Sequence, residues 1–95
     1  MEHDSLVLDI GGEIGALVIH ADAALDGAEI ELSPVGADAN RFHNMVHPRR
    51  AGATTMYTAV YPAVTEGAYT VWRNKDTRHG IVNITGGQVT EYVWL

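Results

Sequence analysis

Five histidines carry most of the chemistry open to this chain: His3, His20, His43, His47 and His79. Imidazole is a common metal ligand and a frequent general base. His43 and His47 lie four positions apart, close to Arg41, with Glu29 and Glu31 upstream. On a helix, residues four apart share a face and can chelate one ion. On a strand, four residues span about 13 Å, whereas a zinc–nitrogen bond is about 2 Å, so a regular strand does not bring both rings to one metal. If Ala28–Val35 and Arg41–His47 form a hairpin, Glu29, Glu31, Arg41, His43 and His47 share one outer face. Glu31, Arg41, His43 and His47 are therefore the candidate metal or polar site. The alternative is a solvated ladder of opposite charges, worth a few tenths of a kcal/mol per pair.

Aromatic residues form the second candidate. If Tyr69 and Val71 face inward, Trp72 faces outward from the same strand. Tyr92 and Trp94 share one face of the last strand. Exposed Trp and Tyr stack on sugars or anchor partner proteins. Trp72, Tyr92 and Trp94 are thus the expected ligand or partner contacts, with carbohydrate as one ligand class. The competing reading makes Tyr92 and Trp94 a rim over a small core, or a homodimer contact. Nucleophilic catalysis has little support, because Ser5 and Ser33 sit in no Gly-x-Ser-x-Gly elbow. Asp9–Gly15 is glycine-rich but lacks both the dinucleotide spacing and the phosphate-loop Lys. Asp22 and Asp26 lie near turns without a calcium-loop pattern. No catalytic residue and no cofactor is assigned.

These side chains must be positioned by a chain of 95 residues, which implies one domain over residues 1–95. There is no cysteine, so disulfides and Cys-based metal or redox centres are excluded. The formal net charge of −6 repels phosphate backbones, and Arg49-Arg50 is too small a basic cluster to reverse that. Nucleic acid is therefore not an expected partner. No apolar run approaches the ~18 residues of a membrane span. The N-terminus is acidic and lacks the positive region of a secretory signal. A soluble, cytoplasmic protein is the expectation.

Short β-prone runs alternate with turn signals, the pattern of an all-β sandwich or barrel. The runs are Ser5–Ile10, Glu13–His20, Ala28–Val35, Arg41–His47, Thr54–Tyr61, Ala68–Arg73, His79–Thr85 and Val89–Trp94. In Ala28–Val35, Ala28, Ile30 and Leu32 alternate with Glu29, Glu31 and Ser33, so one face is buried. Phe42, Asn44 and Val46 share a face opposite Arg41, His43, Met45 and His47. Tyr57, Ala59 and Tyr61 are assigned inward, and Met56, Thr58 and Val60 outward. Glu13–His20 is apolar on both faces, as in a central strand or one with a covered outer face. Asp38–His47 can also be written as a helix, capped by Asp38 and stopped by Pro48. Its strand neighbours and the preceding hairpin loop favour a strand.

GALVIHADAALDGAEIEL, with Leu25, Gly27 and Ala28 in the matching places, resembles the opening of carboxypeptidase-regulatory-like and transthyretin-like domains. Tyr61–Tyr69 resembles their Gly-x-Tyr signature, with Gly67 and Tyr69. Val82–Val93, with Gly86-Gly87-Gln88, looks like their final hairpin. The chain also resembles a small family of uncharacterised bacterial proteins with this Gly-x-Tyr-Thr core and a Trp-rich end. The resemblance implies a prealbumin-like Greek-key β-sandwich of seven or eight strands, with Gly67 at a tight turn and the Tyr69 hydroxyl on a backbone partner. It does not imply chemistry. The one enzyme of this group, the transthyretin-like hydroxyisourate hydrolase, uses a C-terminal Tyr-Arg-Gly-Ser-like tetrapeptide. This chain ends Tyr92-Val93-Trp94-Leu95, so none of that enzyme's site residues carries over.

The sequence therefore reads as a noncatalytic binding or assembly module, acting as a homodimer or with a protein partner. The apolar outer face around Ile14, Ala16 and Val18 and the Trp94 end are the expected contacts. The competing class is a metal-binding or hydrolytic protein built on the Glu31, Arg41, His43 and His47 face. Protonating all five histidines would offset most of the −6 charge, weakening self-repulsion near pH 5–6. Sedimentation velocity checks this: faster-sedimenting species are expected at pH 5 than at pH 8, and an unchanged profile removes the idea.

Overall fold

The computed structural model describes residues 8–95. It is all-β, with two four-stranded sheets laid face to face. The strands are β1 (Ile14–Ala21), β2 (Glu29–Pro34), β3 (Phe42–Met45), β4 (His47–Ala51), β5 (Thr54–Thr65), β6 (Gly67–Trp72), β7 (Arg78–Ile84) and β8 (Val89–Val93). One sheet has the order β4-β5-β1-β8 and the other β3-β2-β6-β7. Every pairing is antiparallel except that of β1 with β8. The expected run Ser5–Ile10 lies partly outside the described residues, and Leu8–Ile10 are not in a strand.

The alternating pattern places the core as expected. Leu17 and Ile19 of β1 meet Ile30 and Leu32 of β2, with Ala59 and Tyr61 of β5 and Val71 of β6 closing the layer. β1 lies between β5 and β8, which explains its two apolar faces. Gly67 has φ of 145°, a conformation that side-chain-bearing residues rarely adopt, and it opens β6 directly after β5. The Tyr69 hydroxyl donates to the Thr65 carbonyl at 2.6 Å.

Three expectations are corrected. Arg41–His47 is neither one strand nor a helix. It is β3 and the start of β4, in different sheets, with the chain crossing at the fully buried Val46. The Val46 N–H donates to the Ala28 carbonyl and its carbonyl accepts from the Gly27 N–H, both at 2.9 Å. Those two bonds satisfy the crossing backbone, which is why it can be buried. Second, Val82–Val93 is not a hairpin. β7 and β8 belong to opposite sheets, and the link between them docks on β1 through Gly87 N–H to the Ile14 carbonyl. Third, Thr58 and Val60, expected to face water, are buried. Thr58 accepts a 2.8 Å bond from Arg49 Nε, and Asp9 N–H donates to the Pro62 carbonyl, laying the start of the described chain against β5.

Side chains tie the two sheets together near the crossing. Tyr61 on β5 donates its hydroxyl to the Ile30 carbonyl of β2 at 2.5 Å. Asn44 on β3 donates to the Val60 carbonyl of β5 at 2.5 Å and accepts from the Met45 N–H. Phe42 sets its ring edge-on to Tyr61 and Tyr69, at centroid distances of 6.0 and 5.9 Å. Burial pushes the Tyr61 phenol well above the usual tyrosine range. A raised phenol pKa means the folded state holds its proton more tightly than the unfolded chain. Its contribution is present below about pH 10 and is lost as pH rises through the folded-state value. Tyr61→Phe, which removes the hydroxyl's bond to the Ile30 carbonyl, is expected to cost about 0.5–1.5 kcal/mol. Urea unfolding at pH 7 and pH 10.5 checks both points, with a shallower alkaline decline in the variant.

Candidate functional site

Trp72 is the centre of the first cluster, on the outer face of the β3-β2-β6-β7 sheet. It leaves β6 on the face opposite Val71, as expected, but it is 5% exposed rather than open. Its indole N–H donates to Ser33 Oγ of β2 at 2.8 Å. The Arg41 guanidinium lies over the ring at 3.6 Å from the centroid, and that of Arg78 at 5.2 Å. Such contacts are worth roughly 0.5–2 kcal/mol each. Arg41 is oriented by Glu31 Oε1 at 3.1 Å and the Asp38 carbonyl at 2.9 Å, and Arg78 by Asp38 Oδ2 at 2.7 Å. The two arginines thus cap the indole and consume both nearby carboxylates. Trp72 is not an open contact, because its ring packs on its own sheet under that cap.

The same face holds most of the expected polar site. β2–β3 register sets Glu31 opposite His43 and Glu29 opposite Met45. Glu31, Arg41 and His43 are brought together as expected, and His43 Nε2 lies 3.9 Å from Glu29 Oε2. His47 is not with them. The crossing at Val46 carries it into β4, opposite Thr58 in the other sheet. The structure thus brings three of the four candidate residues to one face and carries His47 away from them. Among the described residues, no three His, Asp or Glu side chains are grouped to hold a metal ion.

The second cluster lies where β7 and β8 meet at the sandwich edge. His79 Nδ1 is 2.6 Å from the Tyr92 hydroxyl, and Nε2 is 3.0 Å from the Leu95 main-chain oxygen. Because a main-chain oxygen only accepts, Nε2 carries a proton, and in the neutral ring Nδ1 accepts from Tyr92. The imidazole stacks on Trp94 at 3.8 Å with 15° between planes. The Arg73 guanidinium lies 5.5 Å from the same indole. Tyr92 and Trp94, expected to share a face, are joined by one histidine. Gly80 makes this closure feasible: a Cβ there would collide with the Tyr92 hydroxyl. The β6–β7 turn that sets Arg73 and His79 in place is held by Asn74, whose Oδ1 accepts from the Asp76 and Thr77 N–H groups at 2.9 Å. A shallow groove runs beside Trp94, lined by Asp22, Leu25, Arg73 and Leu95.

Arg78 and Ser33 are the site residues that sequence reasoning missed, and His79 stood there only as one of five histidines, without its partners. The signal for Arg78 was the β6–β7 hairpin, whose register sets it opposite Trp72. Ser33 and His79 act across strand pairings and sheets that no local spacing reveals. On the outer face of the other sheet, His20 Nε2 lies 2.6 Å from Glu91 Oε1.

Comparison with protein families, curated proteins and solved structures gave no match. Function therefore has to be read from the geometry.

Burial raises the Tyr92 phenol above its ordinary value, and the positive charge of Arg73 partly offsets this. In Gly80→Ala, the added methyl displaces the phenol from His79, at a cost of about 1–3 kcal/mol. Absorbance titration then registers one tyrosine ionising at lower pH than in the parent protein. An unchanged alkaline titration contradicts the role assigned to Gly80.

Proposed function

We propose that this chain is a noncatalytic binding or assembly module that works as a homodimer through the side of the sandwich where β7 and β8 lie. The observation that carries the reading is the state of β8. Among the described residues it is the end strand of its sheet, bonded to β1 alone. Its outer-face residues Val89 and Val93 are 43% and 59% exposed, and Ile81 of β7 is 59% exposed. An unpaired edge with exposed apolar side chains is a template for strand addition. By contrast, the aromatic groups that looked like open contacts are engaged internally. Trp72 is capped by two arginines, and His79 bridges Tyr92 and Leu95. Trp94 borders the open side and serves as rim contact.

The two-sheet order and the Gly67-x-Tyr69 turn support reading the sandwich as a prealbumin-like Greek key, the architecture of accessory modules in the resembling families. That architecture is compatible with a binding role and supplies no reaction of its own. The test is sedimentation equilibrium of the native protein from micromolar to millimolar concentration. A reversible monomer–dimer equilibrium is expected. Strictly monomeric behaviour across that range overturns the reading.

A further inference from the structure

The backbone of β8 has a fixed phase. Ala16 N–H donates to the Gln88 carbonyl and Trp94 N–H to the His20 carbonyl. In a parallel ladder, alternate residues of a strand bond to one neighbour. Even-numbered residues from Gln88 to Trp94 therefore face β1, and the N–H and C=O groups of Val89, Glu91 and Val93 point off the sheet. Those same three residues also carry the outward side chains. The sequence Val89-Thr90-Glu91-Tyr92-Val93 reads Val–x–Glu–x–Val in either direction. A two-fold interface requires such self-complementarity, since each residue must meet its symmetry mate.

We infer that a second copy of this chain adds antiparallel to β8 about a two-fold axis through Glu91, joining two four-stranded sheets into one of eight. This rests on the assembly reading above and specifies its partner and register. In this register Val89 of each copy pairs with Val93 of the other on the outer face. Glu91 meets its own symmetry mate, and all three pairs exchange both backbone hydrogen bonds. The charge pattern is compatible. Each Glu91 carboxylate is bonded to His20 of its own chain at 2.6 Å, so the axis carries two carboxylates flanked by two imidazoles. The central pair still opposes like charges, which limits affinity. One five-residue edge also buries less than the ~1,200 Å² of a typical stable interface. The dimer is accordingly weak and concentration-dependent.

The opposite edge of the same sheet does not offer an equivalent surface. β4 contains Pro48, which has no N–H to give a neighbouring strand, together with Arg49 and Arg50. Head-to-tail stacking of copies is thereby disfavoured, and pairing stops at two.

The chain has no cysteine, so a single introduced thiol reports proximity to its own mate. Directly opposed residues in a hydrogen-bonded antiparallel pair have Cα atoms about 5.5 Å apart, within disulfide range. Glu91→Cys is expected to form an interchain disulfide under mild oxidation much faster than Lys75→Cys on the distant β6–β7 turn. Sedimentation equilibrium supplies an independent arm on the reduced, folded variants. Val93→Lys should weaken association about tenfold or more, by placing an edge lysine against Val89 of the mate. Glu91→Gln should tighten it about two- to fivefold by removing the like-charge pair. If the parent dimerises but Glu91→Cys cross-links no faster than the control and neither substitution shifts the equilibrium, the β8 register is overturned while the assembly reading stands. If the parent and Glu91→Gln are both monomeric at millimolar concentration, both readings fall.

Discussion

The buried crossing at Val46 is the constraint on which the arrangement depends. A chain leaving one sheet for the other must carry its peptide groups through the apolar layer. An unbonded peptide group there costs several kcal/mol in a medium without water. Gly27 and Ala28, the residues entering β2, supply the partners for both Val46 groups. The start of β2 therefore fixes where β3 ends and where β4 begins. Everything downstream inherits that choice. His47 is turned away from His43, β4 is delivered to the edge beside β5, and Asn44 and Tyr61 meet across the layer to bond main-chain carbonyls.

Two outer faces follow with different chemistry. On one, a tryptophan is flattened under two guanidinium groups whose charges are met by Glu31 and Asp38. That arrangement buries a large indole on an outward surface without an overlying helix, because planar guanidinium groups lie on the ring face while their N–H groups bond Glu31 and Asp38. On the other, a histidine–glutamate pair and a buried threonine interrupt a row of valines. The sandwich has thus covered Trp72 and left His43 and His47 exposed.

The sequence was readable wherever one face of a strand met the core. Ile30 and Leu32 against Glu29 and Glu31, Tyr69 with Val71, and the apolar character of β1 all follow from period-two alternation. It was also readable for Glu31, Arg41 and His43, since a two-strand hairpin puts them side by side. It failed where position depends on which sheet a strand joins. Nothing local to Arg41–His47 marks a change of sheet at Val46, because a fully buried valine looks the same in mid-strand and at a crossing. The parallel pairing of β8 with β1 was equally hidden, as Gly86-Gly87 reads as a hairpin turn until the Gly87 N–H is seen bonding the Ile14 carbonyl. The exposure of Trp72 was misjudged because alternation assigns a side of the sheet, whereas burial depends on the long side chains that fold over it.

The parallel pairing of β1 and β8 has a consequence for how the molecule is made. Of the described strands β1 comes first and β8 last, and β8 completes the sheet on β1's far side. Contacts between segments so distant in sequence carry a large loop-closure cost and slow folding. During synthesis the first seven strands emerge while β1 still presents an open edge. The apolar row of Leu17 and Ile19 lies just behind that edge. Until the ribosome delivers the last strand, the nascent chain is a sandwich with a missing slat, and misassociation with other chains is most favoured in that interval.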